Sequence, residues 1–221
     1  MVNFTLLPQQ AALRELAATF ASSVLAGAPS TYENYGNQFE RFCATRPFYR
    51  QAVASGIVKR LVPSNLGGTG GSLLDTIILV EELYAVEASV SLSIISTMLG
   101  LGPLIAGGSA EQKEEFLKPF LNGEGEPLAS LVLSEPAGSA NWLEKGGSGL
   151  HTVAWEDRET GDWVIDGEKV RSTIRMCGIY RLIMTDVGYQ LLRLGWSGSR
   201  YPMRRLSARP GSEKQRPRSI G

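Results

Sequence analysis

The chain has 221 residues, 43% hydrophobic and 20% charged, enough apolar material for a real core and the balance of a soluble globular protein. Its formal net charge of zero hides an asymmetry. Up to Val170 there are eleven basic against twenty acidic residues, and after it eleven against two, so the two parts point to different jobs or different origins. Cys43 and Cys177 have no CxxC or Cys/His spacing, which excludes a disulfide framework and a metal site and fits a reducing, cytoplasmic setting.

The opening residues MVNFTLLPQQ lack both a basic start and a long apolar core, so no signal peptide is expected. Leu13, Leu16, Ala17, Phe20 and Val24 recur at helical spacing and predict an amphipathic first helix after Pro8. A second helical stretch is expected over 32–55, with Phe39, Phe42, Tyr49 and Val53 inward, a break at Pro47 and an end at Gly56. The glycine-rich stretch Leu66-Gly67-Gly68-Thr69-Gly70-Gly71 has neither the Lys-Ser/Thr of a P-loop nor the GxGxxG order, and it reads as a connecting turn.

A third helix is expected over 75–86, with Ile77, Ile78, Leu79 and Leu83 inward and Glu81, Glu82 and Glu87 outward. These carboxylates have no histidine beside them, and 81 and 82 point apart on a helix, so they read as a solvated face rather than a metal site. The run 90–106 is apolar enough to raise the question of a membrane span. Its Ser91, Ser93, Ser96, Thr97, Gly102 and Pro103 favour a buried helix of a soluble domain, and no membrane partner is expected. Ser109-Ala-Glu-Gln112 fits a capping box, opening a helix that carries Phe116, Leu117 and Phe120 and stops near Asn122-Gly123. About five helices with short joins make an all-α domain over residues 1–126.

Residues 127–134, dense in Leu, Val and Ala, predict a strand buried on both sides. Glu135-Pro136 ends it, and the small residues Ala137-Gly138-Ser139-Ala140 let a ligand approach the backbone. A second strand is written Trp163-x-Ile165-x-Gly167-x-Lys169. His151 is the only histidine, with no partner for a triad, and a surface or turn position is expected for it. Read by these residues alone, a strand followed by an ordinary turn is the simpler account.

The order of motifs adds to that account. Gly56, Pro63, Leu66-Gly67-Gly68, Glu81-Glu82, a helix from Gln112 to Pro119, Gly123-Glu124, Ser134-Glu135-Pro136-Ala137-Gly138-Ser139 and Trp163-x-Ile165-x-Gly167-x-Lys169 follow one another. In that sequence the chain resembles the acyl-CoA dehydrogenase family from Phe4 to Val170, about three quarters of its length. The resemblance implies an α+β protein: an all-α N-terminal domain (1–126), then a truncated antiparallel β middle domain (127–170), without the family's C-terminal helical bundle. Gly138-Ser139-Ala140-Asn141-Trp142 departs from the Gly-Ser-Asp usual in that loop and is similar to the nitroalkane oxidase branch. So are Thr45-Arg46-Pro47-Phe48-Tyr49-Arg50 and Phe116-Leu117-Lys118-Pro119-Phe120.

By this likeness the cofactor is FAD, with Leu131, Val132, Leu133 and Ser134 at the ring end and Ser139, Ala140 and Asn141 making further contacts. Thr173 stands where the family's second flavin-contacting hydroxyl follows a tryptophan, although Arg171 replaces that tryptophan. The implied activity is an FAD-dependent oxidoreductase that takes an α-proton from a carbon acid, a nitroalkane or, alternatively, an acyl-CoA thioester, with transfer to flavin N5. The catalytic base is expected in the bundle, so no catalytic residue is assigned here, Glu135 is expected to be structural, and this polypeptide alone is expected to be inactive. Full-length relatives are homo-oligomers. The tail 171–221, with ten arginines and one lysine, is expected to be disordered or out of frame. A non-catalytic pseudoenzyme or a basic-tailed nucleic-acid binder remains the other reading, though the tail has no zinc, RNP or helix-turn-helix signature.

Overall fold

The computed structural model describes residues 5–136, 150–156, 158–159, 163–169, 180–185 and 188–193. Helices come first: α1 (Pro8–Ser23), α2 (Ala28–Tyr32), α3 (Gln38–Ala54), α4 (Leu73–Tyr84), α5 (Ala88–Gly107) and α6 (Ala110–Leu121). Strands follow: β1 (Ala129–Val132), β2 (Val153–Glu156), β3 (Trp163–Asp166), β4 (Tyr180–Thr185) and β5 (Gly188–Arg193).

α1 begins at Pro8 as its sequence predicts, with the Leu7 N–H donating to Gln10 Oε1 at 3.0 Å. Leu13, Ala17 and Phe20 face inward, while Leu16 lies at the edge of the stripe. α3 starts late, at an Asn37 cap whose Oδ1 accepts from Glu40 N at 2.9 Å. Contrary to expectation it then runs straight through Pro47. An interior proline costs about 3 kcal/mol, and the burial of Tyr49, Ala52 and Val53 one turn further on outweighs it. Phe39, expected inward, is 36% exposed in the first turn of α3.

α4 opens on a Ser72/Asp75 capping box and buries Ile78, Leu79 and Leu83. Ile77 is 51% exposed, since one residue along a helix is a rotation of about 100° away from its buried neighbour Ile78. Glu87 is a second correction: it is buried, not outward. Its carboxylate caps α5, accepting from Ser89 N at 2.8 Å and Val90 N at 2.6 Å, and takes the Tyr32 hydroxyl at 2.9 Å.

α5 is the centre of the helical unit. By length and composition it is apolar enough to cross a membrane, with a mean hydropathy of 1.7. Here Val90, Ile94, Leu101 and Leu104 are in the core against α3, α6 and the start of β1. Its buried hydroxyls are satisfied within the helix: Ser96 and Thr97 donate to Ser93 O at 3.4 and 3.1 Å, and Ser91 donates to Glu87 O. α6 opens on the predicted capping box, Ser109 N donating to Gln112 Oε1 at 2.9 Å. The glycine-rich stretch is a turn folded on residues 59–63. The amides of Gly68, Thr69 and Gly70 donate to the carbonyls of Pro63, Lys59 and Val62 at 2.9–3.1 Å, so none of the three faces a phosphate.

β2 and β3 form an antiparallel ladder from Val153↔Asp166 to Glu156↔Trp163. β4 and β5 form another, from Tyr180↔Arg193 to Thr185↔Gly188, and β4 also lies parallel to β1, Ala129↔Tyr180 through Val132↔Ile183. That three-stranded sheet is therefore mixed, ordered β1-β4-β5. Within the tail expected to be disordered or out of frame, 180–185 and 188–193 form paired strands. The arginines frame two short apolar runs, Leu182-Ile183-Met184 and Leu191-Leu192, too short to register as a sustained period yet long enough for paired strands. Among the described residues no helix follows Leu121.

Candidate functional site

β1 is anchored from three sides before it reaches the positions of interest. Tyr49 on α3 donates its hydroxyl to Pro127 O at 2.7 Å and meets Thr97 Oγ1 on α5 at 3.1 Å. Burial pushes that phenol's pKa well up, so it stays protonated and donating. Arg50 Nε lies 3.1 Å from Glu126 Oε1, and Arg46 pairs with the same carboxylate. The 45–50 motif thus presents positions 46, 49 and 50 on one helical face to the lead-in of β1. Gly100 lets α5 touch the strand backbone: a Cβ there would stand 2.4 Å from Ser130 N and 2.5 Å from Ala129 C.

On this support the four predicted ring-end residues come together. Val132 is buried, while Leu131, Leu133 and Ser134 are half-buried. Apolar side chains on both faces of the strand lead to a hydroxyl, that of Ser134, which none of the described residues engages. An apolar strip with one unused donor suits the edge of a planar heteroaromatic ring, and this is the observation on which FAD fits the residues present. Ser139, Ala140, Asn141 and Thr173 lie outside the described residues.

Immediately after Ser134 the chain buries a carboxylate. Glu135 Oε2 accepts from His151 N at 2.7 Å, and Oε1 accepts from Thr152 N at 2.9 Å and from Lys169 Nζ at 2.7 Å. Lys169 Nζ donates further to Leu133 O at 3.1 Å. Burial alone would raise the acid's pKa. The Lys169 ammonium and the two backbone N–H groups overcome that and hold it at about 2. A carboxylate so acidic and so fully engaged cannot serve as the base for a carbon acid. The imidazole of His151 is exposed, and this residue contributes its backbone N–H.

Gly167 makes the lysine's reach possible. It sits at φ 151°, and a Cβ would stand 2.6 Å from both Cα and Oγ1 of Thr152. The chain crosses over the start of β2 there, and two residues later Lys169 turns back to Glu135. Sequence reasoning singled out both motifs but missed this pairing. The available signal was a carboxylate among small residues at Glu135 and a single cation, Lys169, closing the second motif. Among the described residues no group of three or more His, Cys, Asp or Glu side chains is placed to hold a metal ion.

A family model described as the acyl-CoA dehydrogenase N-terminal domain matches residues 8–124. Nitroalkane oxidase from Fusarium oxysporum is 53% identical over 171 residues, covering 77% of this chain and 38% of that protein. The Podospora anserina enzyme is 47% identical over 175 residues, covering 78% and 40%. A solved structure of nitroalkane oxidase, an active-site mutant crystallised with 1-nitrohexane, superposes with a TM-score of 0.76 at 46% identity, covering 82% of this chain and 43% of that one. The chain spans about two fifths of the length of these relatives. With the family model matching more than half of its residues and the fold agreeing, the chain belongs to the acyl-CoA dehydrogenase family.

Proposed function

We propose that this chain supplies the helical unit and part of the FAD site of a nitroalkane-oxidase-type oxidoreductase, which removes the α-proton of a carbon acid. The observation that carries this reading is the end of β1: Leu131, Leu133 and the unengaged Ser134 hydroxyl on a strand fixed by Tyr49, Glu126 and Gly100. The Ala140-Asn141-Trp142 form of the following loop favours the nitroalkane branch over acyl thioesters. Bound FAD would supply the two-electron acceptor. The apolar side chains would exclude water from one edge of it, and the Ser134 hydroxyl would donate to that edge. Ser139, Ala140, Asn141 and Thr173 would complete the contacts.

The base is a different matter. Glu135, the carboxylate nearest Ser134 in sequence, is held ionised by three donors and assigned to structure. These 221 residues alone are therefore proposed to bind FAD weakly or not at all and to turn over nothing. FAD titration followed by flavin fluorescence should show either no binding or saturable binding that Ser134→Ala weakens by about tenfold, a lost hydrogen bond to a ligand being worth about 1.5 kcal/mol. Incubation of the FAD-loaded chain with nitroethane should release no hydrogen peroxide. Peroxide release would refute the inactivity, reduction of the flavin by an acyl-CoA would shift the substrate class, and FAD binding unchanged in Ser134→Ala would remove the reading.

A further inference from the structure

The charged pair at the end of β1 has a geometry that stability alone does not require. Its side chains are 2% (Glu135) and 4% (Lys169) exposed, and a buried ion pair of this kind often holds a fold no better than apolar packing would. What the pair does supply is position. One ammonium bridges Leu133 O and the Glu135 carboxylate, so the backbone is fixed on both sides of Ser134. The same carboxylate takes the amides of His151 and Thr152, so residues 151 and 152 are held against the end of β1. The Ser134 hydroxyl has no hydrogen-bond partner among the described residues, and neither has the buried Thr152 Oγ1.

We propose that Glu135 and Lys169 are positioning residues for the flavin-facing end of β1, a buried charged clamp that sets Leu133 and Ser134 in place before a ligand arrives. The inference rests on the FAD reading above. A ligand that meets a pre-set donor need not order it on binding, and the affinity so gained is what the clamp contributes. Neither residue touches the ligand in this account: both act through Leu133 O and through the amides of 151 and 152.

The test uses the full 221-residue chain as Lys169→Met, Glu135→Gln and Lys169→Arg. Amide hydrogen exchange without FAD should speed up in 131–135 and 150–153 for the first two variants, while α1–α6 exchange as in the unaltered chain. FAD dissociation constants should rise about tenfold or more, the range seen when partners that orient a first layer of ligands are removed. Lys169→Arg, which keeps a cation, should recover part of both effects. Unchanged exchange in Lys169→Met and Glu135→Gln would overturn the clamp. Faster exchange with unchanged FAD affinity would reduce it to a structural pair and overturn it equally. If the unaltered chain binds no FAD, the clamp's role toward it fails, and exchange alone decides whether the pair fixes β1.

Discussion

Glu135 makes the acid limb of this protein's stability readable at a single side chain. Its carboxyl is held at about 2, below its reference value of 4.5. The folded state therefore prefers the ionised form more strongly than the unfolded chain does. That contribution is complete above about pH 4.5 and is lost as pH falls through about 2; one pKa unit is worth about 1.4 kcal/mol, so the whole is on the order of 3 kcal/mol. Urea unfolding at pH 5, 4 and 3 should show the gap between the unaltered chain and Glu135→Gln narrowing as the solution is acidified. A gap independent of pH would refute the assignment. Tyr49→Phe tests the other anchor: it keeps the ring in the core but removes the hydroxyl that donates to Pro127 O, while Thr97 Oγ1 keeps its bond to Ser93 O. The expected cost is about 1–3 kcal/mol, read by the same unfolding experiment.

At the scale of elements, the contact that matters most is α5 against β1. A small residue at 100 is demanded by 2.4 Å, not by helix propensity, which glycine lowers. Gly100→Ala would gain about 1 kcal/mol of propensity in an isolated helix. Here its methyl must displace the backbone of Ser130, so net destabilisation of about 1–3 kcal/mol is expected, with weakened FAD binding. A thermal melt showing stabilisation would mean that α5 and β1 separate without cost. α5 also shows how an apolar helix carries polar residues inside a core. Its hydroxyls and its proline looked like interruptions of a span, yet Ser91, Ser96 and Thr97 are all buried, each donating back into the helix. α3 gives the converse lesson, because Pro47 reads locally as a stop and is carried through by the burial that follows it.

For the whole molecule, the helical core and the strands are joined through β1, whose lead-in residue Leu128 and first residue Ala129 belong to the main apolar cluster. β4 lies alongside β1, and α5 packs on both. A chain ending at residue 170 should keep its helical circular dichroism, since the helices share a core of their own. Amide exchange at 129–132 should accelerate, because β1 loses the strand it pairs with. Continued protection of β1 in that truncation would show that α5 alone orders it.

Local chemistry was enough to read most of the helices and one of their caps. Ser109 with Gln112 fixes one helix start within a few residues of chain, and an apolar stripe at 3.6-residue spacing points to one side whatever the surroundings. It also named Leu131–Ser134 as a strand end, because an apolar run closing on Ser-Glu-Pro has few other forms. Three things needed the folded chain, and each joins residues far apart in sequence. Glu87 faces inward only because α5 begins there and Tyr32 comes to meet it. The strand 180–185 finds its place because β1 offers an edge to pair with, and 188–193 pairs back on it. Glu135 and Lys169, thirty-four residues apart, become one feature only when Gly167 lets the chain cross Thr152. Periodicity and caps are properties of neighbours along the chain, whereas a buried ion pair and a strand's partner are set by which distant segments the core brings together.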